Sequence, residues 1–129
     1  MRHYTSIEQS KKLLELGLDP ETADMHYMFL SDGIYATPAI CAPPMDGDIP
    51  CWSALALLEV MPKKIEDKHY LMLGPAIKKN WCIAYMTQQH QYYRETADLI
   101  IDAVFQMVVW LLNDGLIKNV RPSQAAHPT

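Results

Sequence analysis

Cys51 stands where the sequence predicts a helix to begin, a position at which the helix dipole lowers a thiol pKa. With His26 or His90 as base and Asp24, Asp46 or Asp48 to orient the imidazole, it supplies the parts of a thiolate hydrolase or transferase. Residues 29–50 would form the cleft. These groups are scattered along the chain and share no local signature. Because Trp52 follows at the head of an apolar run, a packed core thiol is the preferred reading of Cys51. Acid pairs such as Asp46 with Asp48 or Asp98 with Asp102 can do acid–base work, or hold a hard cation. They are read instead as a loop with a helix cap and as the solvated stripe of a helix.

His3, His26, His69, His90 and His127 are dispersed, and no two have the spacing of a helical zinc site. The five glycines are isolated and make no phosphate-cradling loop. Neither a metal nor a cofactor is expected. Lys63 and Lys64, with Lys68, precede a predicted hairpin, and Lys78 and Lys79 lie in its turn. Around Trp81 and Tyr85 they are the one nucleic-acid-like feature. Lysines also protect exposed hairpin edges, which is the reading preferred here. A net charge of −4 and a pI near 5.6 argue against a protein whose main work is neutralising phosphates.

The elements that must position these groups follow from periodicity. Thr5-Ser6 caps a helix over about 6–16 that Gly17 stops, with Glu8 and Lys12 paired on its wet side. Asp19-Pro20 opens a short helical turn, continued by Met25, Tyr27 and Met28. From Phe29 to Pro50 the breakers Gly33, Pro38, Pro43, Pro44 and Gly47 leave an ordered but irregular stretch, with short extended pieces near Ile34-Tyr35 or Ala39-Cys41. Asp48 and Pro50 announce a second helix over 51–61, ended by Pro62.

A charged connection, Lys63 to Lys68, leads to an antiparallel hairpin over about 69–86, on which Trp81, Ile83 and Tyr85 share one face and Cys82, Ala84 and Met86 the other. Tyr92-Tyr93 suggests a third strand. A last helix over 96–113 keeps only Asp98, Asp102 and Gln106 polar. The second and last helices carry more apolar surface than one face of a small domain requires. Trp52, Leu55, Phe105, Val109 and Trp110 are therefore candidate interface residues for a homodimer or another protein.

The sequence thus predicts one α+β domain over 1–117, a small antiparallel sheet packed by three helices, with a frayed tail over 118–129. At 129 residues and 50% apolar composition, a single core suffices without disulfides. Three cysteines, an odd number without C-x-x-C spacing, fit a reducing compartment. Met1-Arg2-His3-Tyr4 leads into a polar stretch rather than an apolar signal core, and the apolar run Ala103 to Leu112 is about half a membrane span. A cytoplasmic location without membrane contact is expected.

The stretch Thr5 to Leu18, then Thr22-Ala23-Asp24-Met25, Asp48 to Leu55 with Glu59 and Pro62, and Ala103 to Leu112 resemble a group of short proteins encoded in prophages and other mobile elements of gut Bacteroidetes. The resemblance implies an accessory protein of mobile DNA in a bacterial cytoplasm. It brings no catalytic residue or cofactor with it. The function expected from the residues is a nonenzymatic interaction module, self-associating or binding a protein partner. A small enzyme using Cys51 or a carboxylate is the competing class, and nucleic-acid contact through the lysine-rich hairpin is a third.

Overall fold

A computed structural model of the chain describes residues 1–39 and 45–117. Helix α1, Ile7–Glu15, begins in a capping box: Ser6 Oγ accepts from Gln9 N at 3.1 Å while Gln9 Oε1 accepts from Ser6 N at 3.0 Å. It ends at Gly17, whose φ of +95° lets Leu18 N donate back to Leu13 O at 3.0 Å. A 3-10 turn, Pro20–Thr22, follows with Asp19 as its cap.

The chain then becomes extended where the sequence predicts helix or irregular structure. Strand β1, Met25–Tyr27, pairs antiparallel with β4, Ile49–Cys51, and β2, Phe29–Ser31, pairs with β3, Ile34–Tyr35. The expected extended piece at Ile34-Tyr35 is present, as β3. Cys41 and the tail from Lys118 lie outside the described residues. The helix expected over 51–61 is shorter: α2 is Ala54–Val60, capped by Ser53 Oγ, which accepts from Ala56 N at 3.1 Å. Pro50 restricts Ile49 to extended conformations, and cross-strand pairing with β1 carries Cys51 into the sheet.

The principal sheet is an antiparallel meander, β5 (Lys64–Ile65), β6 (His69–Pro75), β7 (Trp81–Met86) and β8 (Gln91–Ala97), in sequence order. The predicted hairpin is present as β6 and β7, with Tyr70 opposite Met86 and Pro75 opposite Trp81. The expected third strand is longer than Tyr92-Tyr93. It takes in Thr96 and Ala97, so α3 spans Ile100–Asn113 rather than starting at residue 96. The β-branched and aromatic residues of 92–96 favour the pleated surface, and pairing with Trp81 and Cys82 decides the boundary.

Helix α3 lies across one face of this sheet. Ala103, Val104, Met107, Val108 and Leu111 are fully buried, sharing a core with Ile83, Tyr85 and Ala97 from the sheet, Leu57 and Val60 from α2, and Leu13 from α1. A smaller cluster of Tyr27, Ile49 and Cys51 sits beneath the β1–β4 pair. Arg2 joins the amino-terminal segment to both α1 and α3, bonding Gln9 Oε1 and Asp102 Oδ1 at 2.7 Å each. The outcome is an α+β fold with, among the described residues, three α-helices and antiparallel sheets, the four-stranded one packed against α3.

The turn between β5 and β6 holds Glu66 and Asp67 at φ of +54° and +60°, the left-handed region that a tight hairpin turn demands and side chains resist. Asp67→Gly should stabilise the protein by up to about 1 kcal/mol once glycine's larger unfolded-state freedom is offset. The exposed Lys64–Asp67 pair at 3.5 Å that it removes contributes little. Thermal unfolding checks this; an unchanged or lowered Tm contradicts strain in the turn.

Candidate functional site

The sequence-level trio of Cys51, His26 and Asp24 is not brought together. In the β1–β4 ladder His26 is opposite Pro50 and Met25 opposite Cys51, so alternation turns His26 and Cys51 to different faces. Cys51 is fully buried against Thr5 and Tyr27; its thiol donates to Thr5 O at 3.4 Å. Burial pushes it up to about 11, the hydrogen bond from Thr5 only partly opposing this. The helix-start activation expected at Cys51 is therefore corrected: the residue ends a strand, and its thiol is protonated at neutral pH. Asp24 serves α2 instead, accepting from Ser53 N at 2.9 Å and Ser53 Oγ at 2.5 Å.

His26 does meet one of the proposed orienting acids, the half-buried Asp48, with Nε2 and Oδ2 3.7 Å apart. Asp48 accepts from Phe29 N at 2.8 Å and Met45 N at 2.9 Å. Those backbone bonds, Met45 first, hold its carboxyl below the usual carboxylate range, and His26 adds a smaller pull. Asp48 clamps the base of the β2–β3 hairpin. Asp48 is thus not the cap of α2, as the sequence suggests.

Two other histidines, remote in sequence, are joined by the sheet. His69, buried at the start of β6, and His90, exposed before β8, share a 2.8 Å hydrogen bond between Nε2 and Nδ1. Tyr92 leans on His69 and meets Trp110 edge-on, while Tyr93 stacks on Trp110 at 4.0 Å and 3°. Among the described residues no three His, Cys, Asp or Glu gather as a metal site.

The lysines fall into two groups at opposite ends of β6, whose seven residues span about 20 Å. Lys63 Nζ donates to Leu58 O at 3.1 Å, Lys64 pairs with Asp67, and Lys79 approaches Asp98 at 4.0 Å. Lys78 is exposed. Trp81 and Tyr85 face the core rather than interleaving with them.

The interface candidates also divide. Trp52 has 0% of its surface exposed and donates from Nε1 to Thr22 Oγ1 at 2.9 Å, leaving it no surface for a partner. Phe105, Val109 and Trp110 are partly buried against the principal core. Leu55 alone projects, 74% exposed.

The larger apolar surface lies where the sequence reading placed no candidate, on the sheet face turned away from α3. Tyr70 and Met72 are 53% and 55% exposed, and with Met86, Thr87 and Gln88 they line a shallow groove of about 420 Å³. Tyr70 is opposite Met86 and Met72 opposite Ala84, so one stripe of β6 and β7 builds it. Arg94, opposite Ala84 on β8, shares this outward face, since Tyr93 beside it stacks on Trp110 within. The signal available in sequence was the second alternation phase, Cys82, Ala84 and Met86, continued by Tyr70 and Met72.

Two outcomes follow from this geometry. Native protein treated with a thiol reagent and mapped by mass spectrometry should leave Cys51 unlabelled on the timescale in which partly exposed Cys82 reacts. Rapid labelling of Cys51 would restore a thiol mechanism. Asp48, with its folded pKa lowered from 3.8, contributes stability above the unfolded value, and this is lost as pH falls through the folded value. The stability deficit of Asp48→Asn should therefore be largest near neutrality and shrink below about pH 4. A deficit independent of pH in denaturant titrations contradicts the clamp.

Comparison of the chain with protein-family models, curated proteins and solved structures finds no match.

Proposed function

We propose that this protein is a nonenzymatic protein–protein interaction module whose working surface is the open face of the β5–β8 sheet. The observation carrying the reading is the half-exposed Tyr70 and Met72 beside a groove lined almost wholly by apolar atoms, with Arg94 on the same face. An exposed apolar stripe costs solubility unless something covers it, and methionines mould to irregular partners. The partner surface that fits is apolar with a carboxylate set to meet Arg94. The resemblance to mobile-element proteins supports an accessory role in a bacterial cell. The surface is a sheet face rather than the helix residues Phe105, Val109 and Trp110, which the core uses.

A thiol enzyme has less support, because the Cys51 sulfur is buried and its pKa raised. Nucleic-acid contact also has less, because the lysines are divided between two ends of the sheet and two of them approach acids. No helix among the described residues is long and apolar enough to cross a membrane.

The test places a photo-crosslinking residue at Gln88, on the rim of the groove, and at Lys11 on α1 as a control. The protein captured from Gln88 in the native host is identified, purified and titrated. Met72→Glu should raise its Kd by about tenfold or more, the equivalent of about 1.4 kcal/mol. Equal affinity of Met72→Glu and the wild-type chain, or capture from the Lys11 position alone, overturns the reading.

A further inference from the structure

Among the described residues, the β2–β3 hairpin also exposes apolar side chains in a row. Leu30 and Ile34 are 60% and 56% exposed, with Met28 and Phe29 each about two-fifths so. Among the described residues it forms a two-stranded sheet with no third strand. Such a ribbon gains little from its own hydrogen bonds in water and needs an apolar cover. Its base is nonetheless fixed. Phe29 N donates to Asp48, the Phe29 ring meets Tyr35 edge-on at 5.9 Å, and Gly47 approaches so closely that a Cβ there would stand 3.1 Å from that ring. Leu30 and Ile34 are thus presented on an anchored ribbon, joined by the Asp32-Gly33 turn in which Gly33 takes a φ of +74°.

Charge pairs this ribbon with the open sheet face. From Met28 to Tyr35 the one side chain charged at neutral pH is Asp32, at the tip. The outward strand positions Lys64, Tyr70, Met72, Cys82, Ala84, Met86, Arg94 and Thr96 include two cations and no carboxylate, in a chain of net charge −4. Lys64 is engaged by Asp67, whereas Arg94 makes no ion pair among the described residues. An apolar ribbon tipped by one acid and an apolar face holding one unengaged guanidinium are complementary.

We infer that the open sheet face of one copy of this chain is covered by the β2–β3 hairpin of a second copy, with Asp32 of the hairpin against Arg94 of the face. The inference rests on the reading of that face as a docking surface and names its occupant. Ribbon and face are different patches, so an exchange made once would propagate, whereas an exchange made reciprocally about a two-fold axis closes at two copies. The assembly is therefore a dimer held by two equivalent contacts.

Sedimentation equilibrium of the full chain tests it. The wild-type protein should be a dimer that dissociates on dilution. Leu30→Glu on the ribbon and Met72→Glu on the face should each weaken it by about tenfold or more. Asp32→Arg should weaken it, and Asp32→Arg combined with Arg94→Asp should restore it. All four positions are solvent-exposed, and circular dichroism confirms that the variants fold. Equimolar Leu30→Glu and Met72→Glu chains, each keeping the element the other lacks, should associate with one another better than either does alone. A wild-type chain that stays monomeric up to about 1 mM overturns the inference, as does a dimer indifferent to the charge exchange. If the wild type is monomeric while the Gln88 crosslinked partner still discriminates against Met72→Glu, the occupant named here is wrong and the docking face stands. If that discrimination fails too, both fall.

Discussion

One helix covers one face of one sheet, and most of this molecule follows from that geometry. Helix α3 presents Ala103, Val104, Met107, Val108 and Leu111 to the β7 and β8 side chains Ile83, Tyr85 and Ala97, all buried. Apolar burial of this kind contributes roughly 1.5–3 kcal/mol for each large side chain removed from water, more than a typical neutral hydrogen bond. α2 and α1 add Leu57, Val60 and Leu13 to the same side. The alternation of a pleated strand then leaves Tyr70, Met72 and Met86 facing outward, with no helix over them among the described residues. The open face is the geometric complement of the core.

The polar groups that look reactive in the sequence are spent on holding this arrangement. Asp24 caps the approach to α2 through Ser53, Asp48 gathers the Phe29 and Met45 amides, and Asp102 receives Arg2 from the amino-terminal segment. Asp24 fixes the cap residue of α2, whereas Asp48 and Asp102 tie together segments distant in sequence. A buried thiol bonded to a backbone carbonyl belongs to the same economy. It adds cohesion to the Tyr27, Ile49 and Cys51 cluster and is poorly suited to attack a substrate.

How much of this was legible before any coordinates depended on whether the signal was local. The Ser6 capping box, the Gly17 stop and the two-residue alternation of 81–86 are encoded within a few positions, and each element forms where the sequence places it. The head of α2 was not local. Asp48, Pro50 and Cys51 carry the marks of a helix start, but Ile49–Cys51 pairs with Met25–Tyr27, some two dozen residues away in sequence, and pairing overrides the cap signal. Likewise Thr96 and Ala97 complete a strand because Trp81 and Cys82 lie opposite. Among the surface candidates, Trp52 is buried and Phe105, Val109 and Trp110 partly so, for a related reason. The apolar circumference of α3 reveals that something must cover it, and only the packing shows that the sheet and α2 do so, which moves the uncovered surface to the far side of the sheet.

Met72 and Leu30 are informative where Trp52 is not. A large apolar residue on a helix is compatible with core and interface alike, so Trp52 carried no discrimination until its full burial was known. Apolar residues on a two-stranded ribbon, or on the outward phase of a sheet whose inward phase is already filled by Ile83 and Tyr85, have no core left to enter. Their retention has a cost in solubility that the wet alternation of ordinary sheets avoids. The outward phase sets Tyr70, Met72, Ala84 and Met86 beside Thr96 and the cations Lys64 and Arg94, and leaves Tyr70 and Met72 half-exposed.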